Sequence, residues 1–83
     1  MIDDYKNGKI ERILGIYTKL LSGNIVNKLK EAQEYGVNER TIQRDIEDIR
    51  CYMETEAERT GCINSVVYDR IKKGYRLEQI YKM

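Results

Sequence analysis

Apolar residues recur along this chain in two rhythms. Over residues 9–21, Ile10, Ile13, Leu14, Tyr17, Leu20 and Leu21 stand three or four positions apart, the spacing of one helical face, and predict a first helix. Ser22 and Gly23 end it, and Ile25 and Val26 form a short apolar link expected to pack on the core. Residues 28–35, KLKEAQEY, read as a short second helix with Asn27 as its cap. It stops at Gly36, a natural residue for the left-handed position after a helix. A third helix is predicted over residues 39–55, ending as late as Glu56. Beyond it the rhythm changes to two: SVVYD at 65–69 and the segment 75–77 are strand candidates. Val66 and Tyr68 would share one face, Tyr75 and Leu77 one face of the partner strand, and Gly74 would permit the turn between them. Residues 1–7 are expected to be loose, 55–64 to be a loop containing Gly61, and 78–83 to trail out.

The third helix is the most pointed of these elements. On a wheel turning about 100° per residue, Ile46 and Ile49 fall within roughly 40° of Ile42 and make one apolar stripe. Arg40, Arg44, Glu47 and Cys51 fall on the opposite side. Asn38 is suited to cap the helix by accepting from the amide of Arg40 or Thr41, and Glu39 places an acid in the first turn, where the helix dipole favours one. One side is built for burial while the other presents two guanidiniums near the start, the layout of a helix whose N-terminal residues enter a DNA major groove. An amphipathic helix with a charged solvent face is common and by itself carries no function. The context adds weight. A short helix containing the small residue Ala32, a turn of about three residues at Gly36 and a second helix make a helix-turn-helix pattern. The segment 70–76, RIKKGYR, carries Arg70, Lys72, Lys73 and Arg76 and no acid, as a wing gripping a phosphate backbone would. Its bland alternative is an ordinary hairpin with a charged tip.

Eighty-three residues bound the chain to one small domain, read as a mainly α fold with a small β-hairpin (α+β): a winged helix-turn-helix of three helices and a two-stranded wing. No apolar run approaches the roughly 18 residues of a membrane span, and no signal pattern opens the chain. Two cysteines and no histidine make neither a disulfide framework nor a plausible zinc site, so the cysteines are read as reduced cytosolic thiols. With no glycine-rich phosphate loop and no metal-ligand cluster, no enzyme, cofactor or small-molecule ligand is expected. The net charge of +1 from 15 bases and 14 acids argues against nucleic acid, but its distribution does not. Residues 45–58 hold six acids against Arg50 alone, whereas bases gather at Lys28, Lys30, Arg40, Arg44 and the 70–76 hairpin. Such a dipolar molecule can orient on a polyanion without a large net charge.

At this point GVNERTIQRDIEDIR (36–50), VVYDRIKKGYRL (66–77) and the preceding RILGIYTKLLSGNIVNKLKEA (12–32) together resemble the N-terminal winged helix-turn-helix of bacterial WYL-domain regulators, related to the DeoR-type domain. The resemblance covers roughly residues 10–78. The blocks Arg40–Thr41–Ile42, Arg44–Asp45–Ile46 and Gly74–Tyr75–Arg76–Leu77 carry most of it. Glu31 departs from the pattern, standing where the family usually has leucine, and Leu29 is expected to take over its packing. The resemblance implies a cytoplasmic regulator whose larger sensor domain lies outside this chain. It implies either a piece of a longer protein, favoured because the chain stops where the family's linker would begin at 79–83, or a stand-alone paralogue. Homodimerisation in the full-length protein would use parts absent here.

The partner expected is double-stranded DNA. Asn38, Glu39, Arg40, Thr41, Gln43 and Arg44 are placed at the major groove, with Lys28 before them and Arg70, Lys72 and Lys73 on the backbone. Arg44 would meet a phosphate or guanine, against the alternative of a surface ion pair with Asp48; Arg40 would do likewise, against simple solvation. Gln43 could read adenine, and Thr41 could donate to a phosphate. Asp45 is expected to hold a local base or a backbone amide, and Tyr17, Tyr35, Tyr68 and Tyr75 to lie in the core or at its edge. Two other classes compete: a winged helix used for protein–protein contact, which an apolar patch in place of the basic face would favour, and the DNA-binding arm of a larger enzyme, as in the biotin ligases.

Overall fold

Helix starts and stops follow the local chemistry. A computed structural model describes the backbone of residues 4–81 and the side chains of residues 8–79. Its elements are α1 (Asp4–Leu21), α2 (Lys28–Tyr35), α3 (Glu39–Thr60), β1 (Cys62–Asp69) and β2 (Gly74–Tyr81). Asn27 caps α2 by accepting from the Lys30 amide, and Asn38 caps α3 by accepting from the Thr41 amide. Gly36 ends α2 at φ 68°, leaving a three-residue turn before α3. The fold is therefore mainly α with a two-stranded antiparallel hairpin, in a winged helix-turn-helix arrangement. No helix among the described residues is long and apolar enough to cross a membrane.

Three boundaries differ from expectation. First, α1 begins at Asp4, so residues 4–7 are helical instead of loose; the expectations for residues 1–3 and 82–83 lie outside the described residues. Second, α3 runs to Thr60, and there is no loop over 55–60. Residues 51–60 are rich in good helix formers, Glu56 pairs with Arg59 one turn on, and Met53 continues the buried isoleucine stripe. Gly61 then closes the helix at φ 76°, its amide on the Ala57 carbonyl. Third, β1 begins directly after Gly61 and β2 continues to Tyr81, so residues 78–81 pair instead of trailing out: Cys62 stands opposite Tyr81 and Ile63 opposite Ile80.

The core is one cluster in which Ile16, Leu20, Val26, Ile42 and Ile46 are fully buried, joined by Ala32, Ile49, Met53 and Val66. The α3 stripe behaves as its spacing predicts. The α1 face does not. Ile16, outside the predicted stripe, is fully buried with Leu20, whereas Ile10, Leu14 and Leu21 are each about half exposed. The helix is rotated so that Ile13, Ile16 and Leu20 face the core. Gly15 lies under the tip of the Tyr35 side chain, where a Cβ would meet its hydroxyl. Leu29 is about half exposed and does not take over the packing expected of it. Glu31 is itself buried, held by Lys19 through both carboxylate oxygens at 2.8 and 3.0 Å. Burial alone would draw the Lys19 pKa down; its bonds and charges with Glu31 and Glu34 outweigh that and raise it.

The hairpin docks through an unforeseen contact. Val26 and Tyr75 exchange both backbone hydrogen bonds, at 2.7 and 2.8 Å, making a one-residue third strand on the β2 edge. Gly74 serves this approach and not the turn: a Cβ on it would meet Ile25 and lie 2.9 Å from the Val26 carbonyl. The left-handed turn residue is Lys73, at φ 56°. Tyr17, Tyr35 and Tyr75 are half-buried, but Tyr68 is exposed, its ring edge-on to Tyr75, which takes the inner place.

Candidate nucleic-acid interface

Burial of Ile42, Ile46 and Ile49 sends the opposite side of α3 outward. Arg40 and Arg44 are exposed there, in the first two turns. Neither has an ion-pair or hydrogen-bond partner among the described residues, and the Arg44–Asp48 pair considered from the sequence is not formed. Glu39 is exposed beside them. Asn38 and Thr41 are engaged at the helix start, where Asn38 Oδ1 accepts from both the amide (2.8 Å) and the hydroxyl (2.9 Å) of Thr41.

On the flank of α3 that faces α2 and the hairpin, Gln43 sits half-buried in a polar junction. Its Oε1 accepts from Lys28 Nζ at 2.9 Å and from the Tyr75 hydroxyl at 3.2 Å, and its Nε2 donates to Glu47 at 2.9 Å. Glu47 is held in turn by Arg50, whose second nitrogen donates to the Val66 carbonyl. Lys28, Gln43 and Tyr75 thus join α2, α3 and β2 on one side of the molecule. The sequence places Tyr75 only in the core or at its edge; its hydroxyl's role carries no signal in spacing.

The wing is also tethered. Asn27, beyond capping α2, donates through Nδ2 to the Lys73 carbonyl at 2.9 Å. Asp69 closes the tip by accepting from the Ile71 and Lys72 amides, both at 2.9 Å, and from Arg76. Arg70, Lys72 and Lys73 are exposed, with side chains unpartnered among the described residues, whereas Arg76 is drawn back onto Asp69 and Glu78. Ile71 is 91% exposed between these bases. Sequence reasoning passed over it, although an isoleucine among four bases at a hairpin tip was the available signal.

Asp69 is acid-sensitive in a defined direction. The Lys72 amide holds its carboxyl below the ordinary 3.8, against desolvation, with the Ile71 amide and Arg76 adding to the effect. A folded pKa below the unfolded one contributes stability that is present above the unfolded value and lost as pH falls through the folded value. Acidification below 3.8 should therefore loosen the wing tip. In an NMR titration the Ile71 and Lys72 amides should shift together with Asp69, and Asp69→Ala should abolish that step. Identical titration of those amides in the variant would rule out this role for Asp69.

The remaining charge is distributed less simply than the sequence suggests. Asp45 does not belong to the acidic surface. It is buried, and both its oxygens meet the Arg12 guanidinium from α1, so its base is 33 positions away and not local. On the other flank of α3, Ile13, Leu14, Tyr17, Asp48, Ile49 and Tyr52 line an open, largely apolar groove against α1. Cys51 and Cys62 are both free. A scan against protein-family models and searches of curated proteins and of solved structures find no match to this chain.

Proposed function

We propose that this chain is the sequence-specific double-stranded DNA-binding module of a cytoplasmic bacterial transcriptional regulator, similar to the N-terminal domain of the WYL-domain family. The observation that carries the reading is the pair of unpartnered guanidiniums, Arg40 and Arg44, on the first two turns of α3, on the side opposite its buried isoleucines. Asp48 stands one turn from Arg44 and leaves it unpaired, so both guanidiniums are available to a phosphate or a base edge. Beside them the Lys28–Gln43–Tyr75 junction and the Asn27–Lys73 bond tie the basic wing to the same helix-turn-helix unit. Helix α3 would enter the major groove while Arg70, Lys72 and Lys73 meet the backbone. Selection of bound fragments from random oligonucleotides, followed by mobility shift of the winners against scrambled controls, tests it; equal retention of both by the protein would refute sequence-specific binding.

Two quantitative results are expected. If Arg40, Lys72, Lys73 and one or two further bases neutralise phosphates, while Arg44 reads a base, log K should fall against log[salt] with a slope of about −3.5 to −4.5. Binding that survives with a slope near zero would remove the electrostatic basis of the reading. The helix and the wing should also divide their labour. Arg44→Ala should weaken the selected sequence by about 1–3 kcal/mol, concentrated at one base position, while Lys72→Ala with Lys73→Ala weakens all sequences alike. Uniform losses in both variants would make Arg44 a phosphate contact and not a base reader.

A second reading, a winged helix for protein–protein contact, draws on the apolar groove between α1 and α3, where Leu14 and Tyr52 are each about half exposed. That groove lies on the flank of α3 away from Gln43 and accompanies the basic face instead of replacing it, so DNA binding remains the first reading.

A further inference from the structure

Gln43 holds the most constrained polar side chain on the surface assigned to DNA, and its constraint has a direction. An ammonium has only donors, so the Gln43 atom that meets Lys28 Nζ must be the carbonyl oxygen. A carboxylate is acceptor-only, so the atom that meets Glu47 must be the amide nitrogen. Both ends of the side chain are thereby oriented by chemistry, and no alternative flip satisfies either partner. The Tyr75 hydroxyl, donating to the same oxygen, occupies its second lone pair. What remains of Gln43 toward a ligand is a single N–H.

We infer that Gln43 is a specificity-determining residue that selects guanine and discriminates against adenine at one base pair, with Lys28 and Tyr75 acting as positioning residues. This rests on the DNA-binding reading above. An unrestrained glutamine reads adenine in two bonds, accepting from N6 and donating to N7. With Oε1 saturated, the first of these bonds is lost; the free N–H keeps only N7 as an acceptor on adenine, beside the N6 donor that opposes it. Guanine offers only acceptors there, O6 and N7, and takes the free N–H without conflict. Tyr75 belongs to β2 and Lys28 to α2, so the base preference of α3 is set by the way the wing and the second helix pack against it. Glu47, anchored by Arg50, keeps the nitrogen end in place.

The test is random-oligonucleotide selection on the whole chain in three forms: wild type, Gln43→Ala, and Lys28→Met with Tyr75→Phe. The wild type should enrich guanine over adenine at one position by roughly 3- to 10-fold, the worth of one hydrogen bond. Gln43→Ala should flatten that position alone. The double variant, with Oε1 released, should turn the same position toward adenine. Enrichment of adenine by the wild type that disappears in Gln43→Ala overturns the inference while leaving DNA binding intact, as does a selected site indifferent to Gln43→Ala. No selected sequence at all overturns the parent reading and this one with it. If the double variant does not fold, the wild type and Gln43→Ala still decide.

Discussion

Arg12→Met is expected to be among the most damaging single changes in this domain. The pair it breaks ties α1 to α3, and its two members are unequally buried: the Arg12 side chain retains 12% exposure, the Asp45 side chain 2%. Removing the arginine leaves a carboxylate with no cation and almost no access to water, and breaking a buried pair in this way costs about 3–5 kcal/mol. Asp45→Ala should cost less, because the freed guanidinium can extend its stem toward solvent. Replacing both members, Arg12→Met with Asp45→Leu, should recover most of the loss, since a well-packed apolar pair often equals a buried ion pair. Urea melts of the four proteins check this ordering. Additive losses in the double variant would mean that the pair is not coupled and that Arg12 contributes by packing alone. Because Arg44 precedes Asp45 directly, the same clamp helps fix which side of α3, Arg44 included, is turned outward.

Ile46→Ala should destabilise the domain by about 2–5 kcal/mol, the range for emptying a core aliphatic site. Ile46 is fully buried in the cluster that joins α1, α2, α3 and β1. A domain of this size has a total stability of only about 5 kcal/mol at the low end of the usual range, so the variant should be partly unfolded at body temperature. Circular dichroism melts decide. A melting temperature equal to that of the wild type would place the isoleucines outside the core, and the outward assignment of Arg40 and Arg44 would fall with it. DNA binding by this variant should be restored at low temperature, which separates loss of fold from loss of contact.

Much of the molecule is legible in its residues because the relevant interactions are local. The Asn27 and Asn38 caps, the left-handed stop at Gly36 and the Ile42–Ile46–Ile49 stripe each rest on residues within one or two helical turns, and each stands where its spacing places it. The shared faces of Val66 with Tyr68 and of Tyr75 with Leu77 follow likewise from period-two alternation; the hairpin register then pairs Val66 with Leu77 and Tyr68 with Tyr75. Boundaries were less legible, because the continuation of α3 to Thr60 depends on Met53 finding the core and on Gly61 finding a left-handed place.

The rest was decided by tertiary contact. Periodicity marks an apolar arc on α1 but cannot say which part of it is covered. Packing of α1 against α3, with the Arg12–Asp45 pair tying the two, turns Ile16 inward and leaves Ile10 and Leu14 partly in water. Glu31 becomes tolerable in a buried place only because Lys19, twelve positions earlier, reaches it. Gly74 looks like a turn residue and instead makes room for Val26. Gln43 looks like a free amide on a helix flank; its orientation is imposed by Lys28 and Tyr75, from two other elements. Local spacing thus specifies which residues are offered to solvent or core, whereas the hydrogen-bonding capacity left to each depends on partners that only folding brings within about 3 Å.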